Sequence, residues 1–157
     1  MFMGNECCMW GYWHDSEDPN GDHRFDWSIA GDDTGMSMRR LVAAANTVRW
    51  EHPALRNGML EITHEDYPNN ILAFKRWNVE GDVILTVLNL GDISFTDRSY
   101  ALGTCQSGKW QQILCSQDAE FGGWDGAGNA YYDPCTDSGN RININIPQWS
   151  VLMFKLL

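Results

Sequence analysis

Positive charge is scarce in this chain of 157 residues: 11 Lys and Arg stand against 21 Asp and Glu, a formal net charge of −10. That balance excludes nucleic acid and anionic membrane as expected partners, because basic patches hold both. No run of about 18 apolar residues occurs, so no segment is expected to span a membrane. The opening residues lack the basic region and apolar stretch of a secretory signal. The five cysteines, Cys7, Cys8, Cys105, Cys115 and Cys135, are odd in number and follow no disulfide or zinc spacing. They read as free thiols of a reducing compartment. No Asn-x-Ser/Thr acceptor is present. Together these features give the expectation of a cytoplasmic protein without cofactor or metal. The chain is also too short for an eight-stranded α/β barrel, which needs at least about 200 residues.

What is present is an ordinary globular composition, 43% hydrophobic and 20% charged, with an unusual 8 Trp. That density of aromatics suits a large core, a sugar-stacking surface, or both. Residues 1–33 read as an irregular Gly- and Asp-rich loop. Met38, Leu41, Val42, Ala45 and Val48 then recur on one helical face. Asp33 or Thr34 is the expected N-cap, Pro53 ends the helix, and Asn57-Gly58 makes a turn.

From Met59 onward the pattern is β. Expected strands are Met59–His64, Ile71–Trp77, Val83–Leu90, Tyr100–Leu102, Lys109–Cys115, Arg141–Ile146 and Val151–Leu156, with a hairpin through Asn78–Asp82. Ile142 to Ile146 alternates strictly, as in a strand with one wet face, whereas Val83 to Leu88 is apolar almost throughout and reads as central. The fold class expected is all-β, an antiparallel sandwich preceded by a loop and one helix. Trp10, Tyr12, Trp13, Trp27 and Trp124 fall in loops and are candidates for sugar stacking. Trp50, Trp77, Trp110 and Trp149 fall in helix or strand patterns and read as core.

Three constellations suggest other chemistry and are weak. Asp15 to Asp22 starts like a calcium loop, but with Gly21 at the sixth position the twelfth is Trp27 rather than Glu, and Pro19 interrupts it. Cys7, Cys8, His14 and His23 lie close together, yet adjacent cysteines rarely ligate one tetrahedral zinc. A catalytic cysteine has no supporting context among the four His.

A series of motifs in order carries a resemblance. Phe2-Met3-Gly4-Asn5-Glu6 is followed by Trp10 and Trp13, then by Asp26-Trp27-Ser28, a helix and Pro53-Ala54-Leu55. Ala73-Phe74-Lys75-Arg76, Leu88-Asn89-Leu90, Ser94-Phe95-Thr96-Asp97 and Asp118…Phe121-Gly122-Gly123 come next. In this order they resemble the 1,4-α-glucan branching enzymes of glycoside hydrolase family 13, in the α-amylase superfamily. The resemblance departs at Cys7-Cys8-Met9-Trp10, where the family has a Phe-Gly and a His-Pro-Glu-Trp type run, and at Ile29, where an aromatic is common.

The resemblance implies that residues 1–57 are the remnant of a catalytic barrel (the end of its eighth strand, a loop and its eighth helix) and that residues 58–157 are the all-β C-terminal domain. The family moves glucan chains by a retaining mechanism, which needs a carboxylate nucleophile and a carboxylic acid about 5–5.5 Å apart. In the family those residues precede the Met-Gly-Asn-Glu motif, so no catalytic residue is expected here. His14-Asp15 reads as an exposed loop pair. The expected function is therefore the C-terminal portion of a branching enzyme acting on glycogen or starch, inactive on its own, with an α-glucan as partner. Candidate carbohydrate contacts are Glu6, Trp10, Trp13 and Trp27. Alternatives are a stand-alone carbohydrate-binding module, or the C domain of another α-amylase-superfamily enzyme. With the barrel missing, the apolar helix face is expected to seek a cover, from the sandwich or from a second copy, and the expectation is a homodimer or a further partner such as the missing barrel through residues 1–50.

Overall fold

The computed structural model describes residues 4–9, 25–124, 126–128 and 140–157. Three helices, α1 (Trp27–Gly31), α2 (Asp33–Glu51) and α3 (Ala54–Asn57), precede seven strands. These are β1 (Met59–Asp66), β2 (Ile71–Trp77), β3 (Val83–Asn89), β4 (Phe95–Gly103), β5 (Trp110–Cys115), β6 (Arg141–Ile146) and β7 (Ser150–Leu156). They form an antiparallel five-stranded sheet in the order β1-β2-β3-β7-β5 and a two-stranded sheet of β4 and β6.

Period-two alternation decides the layers. On β3, Val83, Leu85 and Val87 face β4 and β6, while Ile84 faces the opposite way, toward α2 and α3. The inner core joins Leu85 and Val87 to Leu102, Trp110, Ile144 and Phe154, all fully buried. Each such side chain contributes about 1.5–3 kcal/mol relative to exposure. On β6, Ile142, Ile144 and Ile146 are buried between exposed Arg141 and Asn143, as the sequence alternation requires. β3 is central, which is why its apolar run has almost no polar relief.

The second core lies on the other face of the large sheet. Val48 of α2 and Leu55 of α3 meet Ile84 and Leu114, with Leu41, Ala44, Phe121 and Met153 packed around them. α2 is capped by Asp32, whose side chain accepts the Gly35 N–H at 2.7 Å. The cap is therefore one residue before Asp33 and two before Thr34, because Asp32 is the last residue with extended backbone (φ −76°, ψ 171°). The helix ends at Glu51, where His52 leaves helical geometry ahead of Pro53.

Two ties lock this helical layer to the sheet. The Asp82 carboxylate pairs with His52 Nδ1 at 2.9 Å and accepts the Ala54 N–H at 3.0 Å. Arg76 of β2 donates to the Leu55 and Gly58 carbonyls at 2.8 and 2.9 Å. β1 is an edge strand, but the end of β4 guards part of its free side. The Gly103 N–H reaches His64 Nδ1, and Cys105 Sγ approaches the Thr63 carbonyl at 3.8 Å. A Cβ on Gly103 would sit 2.9 Å from that carbonyl, so the approach requires glycine.

Candidate functional site

Of the four residues read from the sequence as carbohydrate contacts, Trp10 and Trp13 lie outside the described residues. So do Tyr12, His14, His23 and the acidic run Asp15–Asp22. Glu6 sits in a 3₁₀ turn, Asn5–Cys7, and its Oε2 accepts the Gly4 N–H at 3.1 Å. It also lines an open groove of about 500 Å³ with Met36, Arg39, Arg40, Val42, Ala43 and Asn46 of α2. Trp27 opens α1 and is 79% exposed, its ring tilted against Phe25 with centroids 4.6 Å apart. Asp26 caps that helix through the Ser28 N–H at 2.8 Å. Its carboxyl is held below the ordinary carboxylate value by the Ser28 hydroxyl and amide. The structure thus puts Glu6 on the side of α2 that faces away from the sandwich. At about 100° per residue, Val42, Ala43 and Asn46 point well away from the Leu41–Ala44–Val48 stripe. The helical face read from the sequence divides in two: Leu41 and Val48 pack on the sheet, Val42 lines the groove, and Ala45 is exposed.

The glycine-rich signature has a physical task. The Phe121 and Gly123 N–H groups both return to the Asp118 carbonyl, at 2.9 and 3.3 Å, winding a tight turn. The turn aims Phe121 into the second core against α2. Gly122 has φ +81°, and a Cβ there would come 3.1 Å from Ser37 of α2. A Cβ on Gly123 would collide with the Gln117 carbonyl. Both positions need glycine, one for its backbone angle and its neighbour, the other for space. Phe121, Gly122, Ser37, Met38, Leu41 and Cys8 border a second cavity of about 310 Å³ along this seam. Burial raises the Asp118 carboxyl above the ordinary value, and Glu120 beside it adds to the shift.

The Ser94–Asp97 motif also acts structurally. Phe95 pairs with Ile146, then the register shifts before Tyr100 pairs with Ile144. Asp97 and Arg98 occupy left-handed backbone at φ 55° and 54°, and the Arg98 N–H donates to Asn145 Oδ1. The bulge explains why β4 begins at Phe95 rather than at Tyr100 as expected. Asn89, 1% exposed, ties two loops, β3–β4 and β6–β7: its Nδ2 donates to the Ile93 and Pro147 carbonyls, and its Oδ1 accepts the Gly91 N–H.

One polar relay escaped the sequence reading. His64 Nε2 meets Tyr100 Oη at 2.8 Å, and Tyr100 Oη donates to Asp66 Oδ2 at 2.8 Å. Since the Gly103 N–H donates to His64 Nδ1, the histidine is neutral with its proton on Nε2. Burial lowers the His64 pKa below 6.5, with Arg141 adding to the shift and Asp66 opposing it. The Tyr100 hydroxyl is pushed well up by burial and by Asp66. Asn69 and Tyr100 hold the Asp66 carboxyl below its ordinary value. The relay fastens edge strand β1 to β4. Among the described residues no group of three or more His, Cys, Asp or Glu could hold a metal ion. Cys7 and Cys115 are buried, Cys8 and Cys105 exposed.

Sequence reasoning misplaced two tryptophans: Trp50 is 78% and Trp149 58% exposed. Trp50 stands nine residues from Leu41, half a turn away around the helix, a signal the helical spacing contained. Trp149 immediately precedes β7 in left-handed backbone, φ 49°, so the alternation of the strand does not govern it. Trp110 is fully buried and Trp77 packs against the inner core, as expected.

The architecture is that of an all-β domain with a helix packed on one face of its larger sheet. Residues 62–156 match the alpha amylase, C-terminal all-beta domain family, and the chain belongs to it. It is 26% identical over 99% of its length to the 1,4-alpha-glucan branching enzyme GlgB of Pseudomonas fluorescens, covering 21% of that relative. Over 80% of its length it is 32% identical to the branching enzyme of the same name from Cereibacter sphaeroides, covering 17% of it. The chain thus spans about a fifth of the length of these curated relatives. Two solved structures share the fold. The alpha-amylase from H. orenii has a TM-score of 0.50 at 21% identity, over 79% of this chain and 20% of that one. The Group B Streptococcus pullulanase SAP has a TM-score of 0.53 at 14% identity, over 85% of this chain and 18% of that one. Among the described residues no helix is long and apolar enough to cross a membrane.

Proposed function

We propose that this chain serves as the C-terminal β domain of a 1,4-α-glucan branching enzyme, carrying the last helix of the catalytic barrel with it. The observation that carries the reading is the clamp of Phe121, Gly122 and Gly123 on α2. It makes a rigid joint between a helix and a sandwich, which is what a domain bracing a catalytic body needs. On this reading residues 1–57 belong to the barrel and residues 58–157 to the brace. The far side of residues 1–50, with Met36 at 44% and Trp50 at 78% exposure, receives the rest of the enzyme or, without it, a second copy. On this reading the substrate is glycogen or starch in the cytoplasm, and Glu6, Trp10, Trp13 and Trp27 are its candidate contacts, of which Glu6 and Trp27 lie among the described residues.

The test joins the upstream catalytic region of the Pseudomonas fluorescens relative to Met1 and follows the iodine stain of amylose. The fusion is expected to branch amylose, and the 157-residue chain alone is expected to leave the stain unchanged. A soluble fusion without branching, or branching by the chain alone, overturns the reading. Size exclusion across a concentration series tests the second-copy alternative, which a constant monomer rejects.

A further inference from the structure

The ends of four neighbouring strands build a ledge. Asp66, Ile71, Asn89 and Ser150 pair in one row across β1, β2, β3 and β7. The next residue outward on each strand is Tyr67, Asn70, Leu90 and Trp149. Tyr67 is 80% exposed and Leu90 and Trp149 are each 58% exposed, with Asn70 exposed between them. By strand spacing the ledge runs about 14 Å from Tyr67 to Trp149. Its backbone is fixed. The Leu90 N–H donates to the Asn70 carbonyl, the Asn70 N–H to the Tyr67 carbonyl, and the Trp149 N–H to the Gly91 carbonyl, at 3.0, 3.2 and 3.0 Å. Gln117 Nε2 donates to the carbonyls of Gln148 and Trp149. Trp149 and Asn70 both hold left-handed backbone, an uncommon state that the surrounding bonds impose. A large indole is thereby presented to solvent on a rigid turn rather than folded into the sandwich.

The chemistry of the rim selects a ligand. Segments 66–70, 89–93 and 147–150 contain no Lys or Arg, only Asp66 and Asp92 as charges, and Asp66 is engaged by Tyr100 and Asn69. Such a rim repels phosphates and suits a neutral chain with hydroxyls for the amides and apolar sugar faces for the aromatic rings. We infer that Tyr67, Asn70, Leu90 and Trp149 form a surface site for a linear α-1,4-glucan, separate from Glu6 and Trp27. The inference rests on the α-glucan reading above, and it gives the sandwich a gripping role at a distance from the reaction.

The experiment measures maltoheptaose and amylopectin binding to the 157-residue chain by calorimetry and affinity electrophoresis, with a cello-oligosaccharide for comparison. The expected result is α-glucan binding that weakens about tenfold in Trp149→Ala and in Tyr67→Ala and survives in Trp149→Tyr and Trp50→Ala. Far-UV circular dichroism verifies the fold of each variant, and Tyr67 and Trp149 come from distant segments, so misfolding of one leaves the other informative. Retained binding in folded Trp149→Ala and Tyr67→Ala overturns the ledge and leaves the α-glucan reading standing. No α-glucan binding, or equal binding of the cello-oligosaccharide, also overturns it, while the branching assay of the fusion decides the parent reading independently.

Discussion

The two faces of the five-stranded sheet are made from the same strands and end differently. Toward β4 and β6, Leu85, Val87, Leu152 and Phe154 are all fully buried. Toward α2, Ile84 and Leu114 are buried, yet Leu60 and Ile62 of β1 remain 56% and 45% exposed. The helical layer therefore covers one part of the outer face and leaves another open. The inner core closes the sandwich, while the outer face is covered by the helical layer only in part.

The sharpest test of this contrast sets one core residue against one seam residue. Phe154→Ala is expected to cost about 3–5 kcal/mol in urea unfolding, and Leu41→Ala, half-buried at the seam, about 1–2 kcal/mol. Equal losses would erase the distinction. Asp82→Ala strips partners from His52 Nδ1 and the Ala54 N–H together, and is expected to cost about 1–3 kcal/mol. Limited proteolysis should then find α2 cut before any strand, whereas simultaneous cutting would mean that seam and core unfold as one. Gly122→Ala forces a Cβ into left-handed backbone, worth about 1–2 kcal/mol, and should shift the α2 cleavage rate more than the unfolding midpoint of the sandwich.

The smallest effect is one of pH. The folded-state pKa of His64 lies below 6.5, so the unfolded chain binds its proton first as pH falls. Its contribution is complete above the unfolded value of about 6.5 and is lost as pH drops through the lower folded value. Asp66 acts with the same sign in a lower window, below 3.8. Tyr100→Phe removes one of the two side-chain hydrogen bonds that hold the Asp66 carboxyl down and should flatten the pH dependence of the melting temperature below pH 3.8, in the Asp66 window. An unchanged slope would show that the relay does not set it.

Strand content was legible because alternation and turn residues are local signals. All seven strands were anticipated, Ile71–Trp77 and Arg141–Ile146 at their observed ends. The order β3-β7-β5 was not, since the placing of β7 between two earlier strands depends on contacts distant in sequence. The Phe-Gly-Gly signature could be recognised, but its work as a clamp needed Ser37 and α2 in view. Of the candidate site, Glu6 and Trp27 could be named but not their surroundings. The ledge was invisible because Trp149 sits beside an apolar strand and takes a backbone angle that the strand pattern does not encode.

The meeting of Gly103 with the outer side of β1 also bears on how the protein behaves in concentrated solution. A sheet whose last strand offers bare amides invites another molecule to add a strand and keep adding. Here the end of β4 already occupies the stretch around Thr63 and His64, which interrupts β1 as a template for such growth. One residue without a side chain thus limits a route to fibres that a larger residue at position 103 would reopen.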